Sequence, residues 1–270
     1  GLTDPNPLVA GRGVKILKAA GIRTVEYDGD TSEISELIEV HTHNMKTKLP
    51  FVTLKVGASL DGQMALKNGA SKWITGDIAR EDAHLWRAGC SATLIGHGTF
   101  ENDNPSLDVR HPDFVSHKNK VIILDPSGKS LKKLKRSKIF ASHAPKDIIV
   151  VVAESVKIND TDVTVIKSKF KKSGGFDLKR LLKELFGFGI HSILVEGGGK
   201  TIATFLKQGL AQRMVVFQAP TILGAGGGMS WTGDLKISSL KNRINLSGVR
   251  TKKLGDDILI TGRLPEKARR

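Results

Sequence analysis

A lysine inside a strand-like run is the first residue whose position points to chemistry. Lys55 lies within the apolar segment Phe51–Ala58, where burying a cation is costly unless it meets an anion or a ligand. Because side chains alternate along a strand, Lys55 and Gly57 share one face, and Gly57 leaves room there for a flat ring or a ribose. The alternative is a plain strand that ends in the tight turn Asp61-Gly62.

Two arginines are suited to binding a phosphate group. Arg87 lies in the last turn of a helix predicted at Asp77–Ala88, and Arg110 follows a polar loop. A guanidinium binds phosphate through two parallel hydrogen bonds. The alternative for Arg87 is a solvated helix face on which it complements the helix dipole. We predict that one side of this helix carries Ile78, Asp82, Leu85, Trp86 and Gly89, and that the other carries Asp77, Arg80, Glu81, His84 and Arg87.

A polar loop follows the buried strand predicted at Ala92–Gly96. It begins G-H-G-T at Gly96 and continues through E-N-D-N to Pro105. Ligands of α/β proteins bind at the carboxyl ends of strands, where such loops open. Thr99 can donate a hydrogen bond to a ligand, and Asp103 can hold a hydroxyl group or act on a proton. The same residues are also ordinary turn formers, which is the alternative.

A glycine loop follows the strand predicted at Ser192–Val195. It reads E-G-G-G-K-T from Glu196 to Thr201 and precedes a helix, whose N-terminus favours phosphate. It is not a Walker A loop, because Leu194 occupies the place of the required first glycine. The later run G-A-G-G-G-M fails the pattern G-x-G-x-x-G at its last position, Met229. A tight strand-to-helix turn without a ligand is the alternative.

Alternating strand-like runs and helical periodicity must position these groups, and this order predicts an α/β fold. Continuous Val, Ile and Leu runs are typical of strands covered on both faces. The chain has no internal repeat and no long linker, so most of it forms one domain. Strands are predicted at Phe51–Ala58, Ala92–Gly96, Val121–Leu124, Ile148–Val152, Val163–Ile166, Ser192–Val195, Met214–Gln218 and Ile258–Ile260, and helices at Asp77–Ala88, Asp177–Phe188 and Thr201–Gln208.

The first 48 residues form a separable piece. Helices are predicted at Gly11–Ala20 and Ser32–Lys46, with a short strand at Ile22–Tyr27 between them. One strand and two helices cannot close a core of their own. His41 and His43 are two positions apart on the second helix and therefore point to different sides, so we predict no metal site.

Composition excludes several classes of protein. Hydrophobic residues are 39% of the 270 and charged residues 26%, as in ordinary soluble domains. No apolar run approaches the ~18 residues that span a bilayer, and no signal-peptide pattern opens the sequence, so we expect a cytoplasmic location and no membrane association. The single cysteine, Cys90, excludes an internal disulfide and a multi-cysteine zinc site, and it is predicted to be small, apolar and buried.

The formal net charge of +15 raises the question of nucleic-acid binding. The basic residues form separate groups: one within residues 132–138, which we predict to be a loop, one within residues 167–172, and one at Lys267, Arg269 and Arg270. Aromatic residues are only 5% of the chain and do not interleave with these groups, as a platform for stacking bases would require. We therefore expect solvated surface charge, or a field that attracts anionic ligands, and no nucleic acid.

Several motifs together resemble the reductase domain of the bifunctional riboflavin-biosynthesis deaminase–reductase family. In order they are T-L-K with S-L-D-G, S-K-W-I-T, G-H-G-T with D-N-P-S-L-D-V-R, V-E-G-G and A-P-T-I-L-G. The resemblance covers about residues 49 to 263. The segment D-P-N-P-L-V-A-G-R-G from Asp4 to Gly13 resembles the end of the family's deaminase domain. The resemblance implies a remnant of that domain at 1–48 and a reductase domain at 49–270.

The resemblance also implies a fold, a cofactor and a set of site residues. The fold is a dihydrofolate-reductase-like mixed sheet with helices on both faces, in a homodimer, and the reductant is NADPH. Two positions depart from the family pattern: Asn104 replaces a second aspartate, and Pro126 replaces a hydroxyl residue near the cofactor. The implied catalytic residues are Lys55 and Asp103; the cofactor residues are Gly57, Trp73, Thr99, Asp103, Gly198, Gly199, Lys200, Thr201, Ile202, Ala203 and Thr204; the substrate residues are Ser71, Arg87, Leu107, Arg110 and Glu196.

The implied reaction is reduction of 5-amino-6-(5-phosphoribosylamino)uracil to its ribitylamino product, with Arg87 and Arg110 at the 5-phosphate. Deamination and bound zinc are not expected from this chain, because the His-x-Glu and cysteine-pair motifs of the deaminase are absent from it. One alternative is an NADPH-dependent reductase of another pterin or pyrimidine. Another is a non-catalytic basic module that binds RNA.

Overall fold

Strands and helices alternate through most of the molecule. The computed structural model describes residues 2–114, 117–171 and 174–266. Among these residues the strands are β1 (Phe51–Ser59), β2 (Gln63–Leu66), β3 (Ala92–Gly96), β4 (Lys120–Leu124), β5 (Ile148–Ala153), β6 (Thr164–Ser168), β7 (Ser192–Val195), β8 (Arg213–Ala219), β9 (Gly228–Ser230), β10 (Ser247–Leu254) and β11 (Asp257–Arg263). The α-helices are α1 (Arg12–Ala19), α2 (Ser32–Leu37), α3 (Glu39–Thr47), α4 (Asp77–Ala88), α5 (His97–Asp103), α6 (Lys129–Leu134), α7 (Lys138–Ser142), α8 (Leu178–Gly187) and α9 (Gly199–Gln208).

One mixed sheet holds most of the described strands. Its order is β10-β11-β8-β1-β7-β3-β4-β5-β6. Neighbouring strands are parallel from β8 through β6, whereas β11 runs antiparallel to both β8 and β10. Strands β2 and β9 form a separate antiparallel pair. The predicted α/β fold with a mixed, dihydrofolate-reductase-like sheet is confirmed.

Helices cover both faces of the sheet, as predicted. Alternate β1 residues such as Val52 and Leu54 join one core, which also contains the apolar faces of α8 and α9. The opposite face packs against Leu134 of α6 and Ile139 of α7 at one end. At the other end it packs against Ala79 and the rest of the buried face of α4. Strands buried on both faces explain the continuous apolar runs in the sequence.

Several predicted elements are wrong or incomplete. Residues 22–27 form no strand, and the predicted helix Ser32–Lys46 is two helices that meet at Ile38. The predicted polar loop after β3 begins with helix α5, and the basic loop at 132–138 overlaps α6 and the start of α7. The apolar side predicted for α4 is also wrong. Small residues let this helix approach the sheet, so the buried side carries Ala79, Ala83, Arg87 and Ala88, whereas Ile78 is exposed.

Helices α2 and α3 are attached to the sheet by charge pairs. The Arg213 guanidinium lies 3.5 Å from a Glu36 carboxylate oxygen and also contacts Glu39. Arg250 pairs with Glu36 at 2.7 Å, and Arg263 pairs with Glu39 at 3.3 Å. In contrast, helix α1 has no buried residue. The first helices therefore contact the sheet through α2 and α3.

Several predictions concern burial and surface charge. Cys90 is buried, as predicted, and burial raises the pKa of its thiol to about 12. Lys132, Lys133, Lys135 and Arg136 are exposed, as expected of solvated charge.

Within the described ranges, no helix has the length and apolar character needed to cross a bilayer. In those ranges, no three His, Cys, Asp or Glu side chains group as metal ligands would. Lys172, Lys267, Arg269 and Arg270 lie outside the described residues.

Candidate functional site

The candidate site lies at the carboxyl ends of the central parallel strands. Strands β1 and β7 are paired so that Leu54 lies beside Val195. Lys55 follows Leu54 within β1, and Glu196 is the first residue after β7; the Lys55 Nζ atom lies 3.5 Å from Glu196 Oε2. Lys55 projects from the face opposite the Val52–Leu54 core, as the alternation along β1 predicts. The charge of this half-buried lysine is thus matched by an anion.

Glu196 is the centre of a buried charge cluster. Arg87 Nε donates to Glu196 Oε1 at 2.9 Å, and Arg87 Nη2 donates to Oε2 at 3.1 Å. The side chains of Arg87 and Glu196 are only 10% and 11% exposed. Burial alone would raise the pKa of Glu196, but the charges and hydrogen bonds of Arg87 and Lys55 outweigh it and lower this pKa to about 2. Glu196 is therefore an ionised hydrogen-bond acceptor at neutral pH.

The guanidinium of Arg87 is almost fully engaged within the protein. Besides the two bonds to Glu196, its Nη1 donates to the Asp108 carbonyl oxygen and lies 3.3 Å from His84 Nδ1. Burial, followed by the charges of Arg87 and Arg110, lowers the pKa of His84. A neutral His84 with Nδ1 as acceptor matches this geometry. The solvated-face alternative for Arg87 is wrong, because the residue is buried.

Arg110 differs from Arg87 in its exposure. Its side chain is 63% exposed, and Nη1 lies 3.3 Å from Asp108 Oδ1 and 3.2 Å from Ser106 Oγ. Its backbone N–H donates to His84 Nδ1 at 3.1 Å, which fixes the arginine beside the charge cluster. Leu107, which lies between Ser106 and Asp108 in the sequence, is buried and has a positive φ of 54°. A solvent-facing guanidinium held by its backbone can still bind an anion.

Asp103 ends helix α5, which follows directly from β3. Burial raises the pKa of Asp103, and the charge of Lys72 opposes this shift. Such a carboxyl group is better able to retain a proton than an exposed aspartate. Asn104, one of the two departures from the family pattern, has a left-handed backbone, and its Oδ1 accepts from the Lys138 amide at 3.0 Å. Asn104 therefore has a local structural role at the start of α7.

The glycine loop packs too tightly for side chains. A Cβ atom at Gly197 would lie 2.7 Å from Thr201 Cβ, and one at Gly199 would lie 2.8 Å from the Ser230 carbonyl oxygen. A Cβ at Gly198 would be 3.9 Å from Thr99 Oγ1, so Thr99 adjoins the start of α9. The Thr201 and Ile202 amides donate to the Gly198 carbonyl oxygen, whereas the amides of Gly199 and Lys200 precede the first of these bonds and suit an anion.

The remaining predicted cofactor residues of α9 differ in accessibility. Ile202 and Ala203 are buried in the core, so a ligand would meet backbone rather than side chains there. Thr204 is half-buried, and its hydroxyl donates to the Lys200 carbonyl oxygen at 2.8 Å. Thr201 is the side chain that fills the space left by the glycines.

The segment that contains Ser71 and Trp73 lies beside strand β1. Trp73 is 69% exposed, and the Arg80 guanidinium lies 4.3 Å from its ring centre. A Cβ at Gly57 would lie 3.6 Å from Thr75 Cγ2, so Thr75 borders the space that Gly57 leaves open. Ser71 is half-buried. These residues extend the site from Lys55 toward an exposed aromatic ring.

Sequence reasoning missed Asp125 at the end of β4. Its carboxylate is buried and accepts from the amides and hydroxyls of Ser127 and Ser130 at 2.7–3.0 Å. His97 Nδ1 lies 3.4 Å from Asp125 Oδ2, outside hydrogen-bond geometry. Burial would raise the pKa of Asp125, but these hydrogen bonds lower it. The available signal was an acidic residue directly after a buried strand, before Pro126 and two serines.

Most of the chain is similar in sequence and structure to RibD proteins. Residues 50–260 match the RibD C-terminal domain family. The riboflavin biosynthesis protein RibD of Aquifex aeolicus is 36% identical over 264 residues, which cover 95% of this chain and 69% of that protein. Two solved structures are also similar. RibD of Acinetobacter baumannii gives a TM-score of 0.79 at 30% identity, with 97% of this chain and 71% of that chain covered. The diaminohydroxyphosphoribosylaminopyrimidine deaminase/5-amino-6-(5-phosphoribosylamino)uracil reductase of Thermotoga maritima gives 0.80 at 31% identity, with 97% and 69% covered.

Proposed function

The chain belongs to the RibD C-terminal domain family. On this basis we propose that it is a riboflavin-biosynthesis reductase. It uses NADPH to convert 5-amino-6-(5-phosphoribosylamino)uracil to the 5-phosphoribitylamino product. The Thermotoga maritima protein, named for this reductase activity, is similar over 97% of the chain. The observation that carries the proposal is the buried Lys55–Glu196–Arg87 cluster at the strand ends. Removing these charges from water costs free energy that apolar residues of similar volume would not, so folding alone does not account for such a cluster.

The N-terminus of α9 and the residues around it fit a phosphate-rich nicotinamide cofactor. A side chain at Gly197 or Gly199 would collide with neighbouring atoms, and Thr99 adjoins Gly198 at the start of the helix. When bound, the nicotinamide supplies the hydride. The residues proposed to hold the cofactor are Gly57, Trp73, Thr99, Asp103, Gly198, Gly199, Lys200, Thr201, Ile202, Ala203 and Thr204, of which Ile202 and Ala203 act through their backbone.

The substrate is proposed to lie over Glu196, with Ser71, Leu107 and Arg110 around it. Arg110 is the direct ligand of the 5-phosphate, because its guanidinium faces solvent. Arg87 contributes positive charge and holds the Glu196 carboxylate, since its own donors are already engaged. The ionised Glu196 can accept hydrogen bonds from hydroxyl or amino groups of the substrate.

Two residues are proposed for proton transfer and polarisation. Lys55 is a hydrogen-bond donor beside Glu196, and it can polarise the reacting carbon–nitrogen or carbon–oxygen bond of the opened ribosylamine. Asp103 has a raised pKa, which favours its holding a proton for delivery. Glu196 is not a donor, because its pKa of about 2 leaves it without a proton at neutral pH.

The remaining proposals concern organisation. We place the boundary between the deaminase-like piece and the reductase domain after residue 48, immediately before β1. We further propose a cytoplasmic homodimer that reduces but does not deaminate. An alternative reductase of another pterin or pyrimidine would share the fold but would not need Arg110 at a phosphate.

Steady-state oxidation of NADPH by the purified chain tests the function. The aminated pyrimidine, the deaminated pyrimidine and a dephosphorylated analogue should be offered separately. Fast, saturable oxidation with the deaminated phosphate compound is the expected result. Equal rates with the dephosphorylated analogue would favour the alternative reductase, and no oxidation with any of them would contradict the proposal.

A further inference from the structure

A polar turn holds a glycine-rich segment that no role above includes. We define the strap as residues 221–233, which contain the run G-A-G-G-G-M and strand β9. Asp61, in the turn after β1, receives two backbone hydrogen bonds from it. Leu223 N–H donates to Asp61 Oδ1 at 3.1 Å, and Gly224 N–H donates to Oδ2 at 2.7 Å. One carboxylate thus fixes the start of the strap.

The turn itself is rigidly held. Ser59 Oγ donates to Asp61 Oδ1 at 2.6 Å and accepts from the Gln63 amide at 2.9 Å. Gln63 Nε2 in turn donates to the Asp61 carbonyl oxygen at 3.0 Å. Ser59 and Gln63 are both buried, although Asp61 is exposed. Hydrogen bonds to the carboxylate lower the pKa of Asp61, and the bond from Ser59 has the largest effect. The carboxylate is therefore charged at neutral pH.

The far end of the strap reaches the proposed cofactor site. Strand β9 pairs with β2, and the Trp231 amide donates to the Gly62 carbonyl oxygen at 3.3 Å. The Gly233 amide then donates to the Gly199 carbonyl oxygen at 3.0 Å, and the Ser230 carbonyl oxygen would lie 2.8 Å from a Cβ atom at Gly199. The strap therefore runs from Asp61 to the first turn of α9.

We propose that Asp61 is a positioning residue for the cofactor: its carboxylate holds the strap against the N-terminus of α9 and so fixes one wall of the cofactor site. The inference rests on the proposed function, because it takes the start of α9 as the place where the cofactor phosphates bind. Asp61 acts through the strap and not by contact with the reacting atoms. The strap glycines allow the close backbone approach at Gly199, but they leave the segment flexible unless it is tied down.

Three variants test this role. Asp61→Asn keeps one acceptor oxygen but turns an N–H₂ group toward a backbone N–H. Asp61→Glu keeps the charge but moves the carboxylate by one methylene group. Asp256→Asn, at an exposed turn between β10 and β11, is the matched control. For each variant, kcat, the KM for NADPH and the KM for the pyrimidine are measured, together with NADPH affinity and the hydrogen exchange of strap amides.

We expect both Asp61 variants to raise the Kd and KM for NADPH by about fivefold to tenfold, the lower range of coupling through a positioned element. The kcat at saturating NADPH and the KM for the pyrimidine should stay within about twofold of wild type, and strap amides should exchange faster. Asp256→Asn should match wild type. If only the charge mattered, Asp61→Glu would behave as wild type, which would overturn the proposal.

Two further outcomes would also overturn it. One is unchanged NADPH affinity in Asp61→Asn, and the other is an equal loss in kcat and in both KM values, as general destabilisation would give. Failure of the proposed function is a different result, because the unmodified chain would then neither bind NADPH nor oxidise it with the pyrimidine.

Discussion

Replacing Glu196 by glutamine should lower the free energy of unfolding, because it removes the negative charge of the buried cluster. Glutamine keeps the shape of the side chain but removes the charge that Arg87 and Lys55 share. The pKa of Glu196 falls from its ordinary value of 4.5 to about 2. Because one pKa unit corresponds to about 1.4 kcal/mol, the ionised carboxylate stabilises the folded state by about 3 kcal/mol more than the protonated carboxyl group would.

The pH dependence of this contribution follows from the direction of the shift. A carboxyl group with a lowered pKa in the folded state stabilises the protein fully above pH 4.5 and loses that effect as the pH falls toward 2. The difference in stability between the wild type and Glu196→Gln should therefore be about 3 kcal/mol at pH 7 and smaller by about 2 kcal/mol at pH 3.

Urea unfolding of both proteins at several pH values between 7 and 3 is the assay. Glu184→Gln is the matched control, because Glu184 is exposed on helix α8. The control should differ from wild type by less than ~0.5 kcal/mol throughout, as surface substitutions usually do. A difference below ~1 kcal/mol for Glu196→Gln at pH 7, or one that grows on acidification, would refute the reasoning about the cluster.

Four other predictions concern ligands and activity. Fluorescence titration should show tighter binding of NADPH than of NADH, because the chain has a basic surplus of +15 and a helix N-terminus at the site; equal or tighter NADH binding would contradict this. Arg110→Ala should raise the KM for the pyrimidine by about tenfold, since a charge-assisted bond contributes about 1.5 kcal/mol at its lower limit, and should leave NADPH binding unchanged. Arg87→Ala should weaken both substrate binding and folding, because it leaves Glu196 buried without its main partner; loss of NADPH binding instead would show that the division between substrate and cofactor residues is wrong. The chain offered the aminated pyrimidine should release no ammonia, and the purified protein should contain no stoichiometric zinc; ammonia release from this polypeptide would refute that expectation.

Buried strands and the long central helix were predictable because local pattern determines them. Ala92–Gly96, Ser192–Val195 and Asp77–Ala88 have the predicted ends, since each is bounded by polar or turn-forming residues. Strand β10 was not predictable in this way. Seven of its eight residues are exposed at the edge of the sheet, so its sequence lacks the apolar alternation of a half-buried strand.

The contacts of the candidate site were harder to predict than its residue types. Glu196 and Arg87 were both recognised, but they are 109 positions apart, and only the fold shows that one holds the other. The burial of Arg87 depends on Ala79 and Ala83, whose small side chains bring α4 close to the sheet. The link between Asp61 and the strap depends likewise on residues more than 160 positions apart.

The charge pairs of α2 and α3 cross the domain boundary that we propose after residue 48. Residues 1–48 are proposed to be the end of another domain, yet Glu36 and Glu39 neutralise Arg213, Arg250 and Arg263 of the sheet. Asn44 of α3 also donates to the carbonyl oxygens of Leu49 and His191, which lie beside the starts of β1 and β7. A gene cut after codon 48 would leave three arginines and two carbonyl groups without these partners. Separation of the two pieces, by evolution or by engineering, would therefore also require changes at the sheet residues that lose these partners.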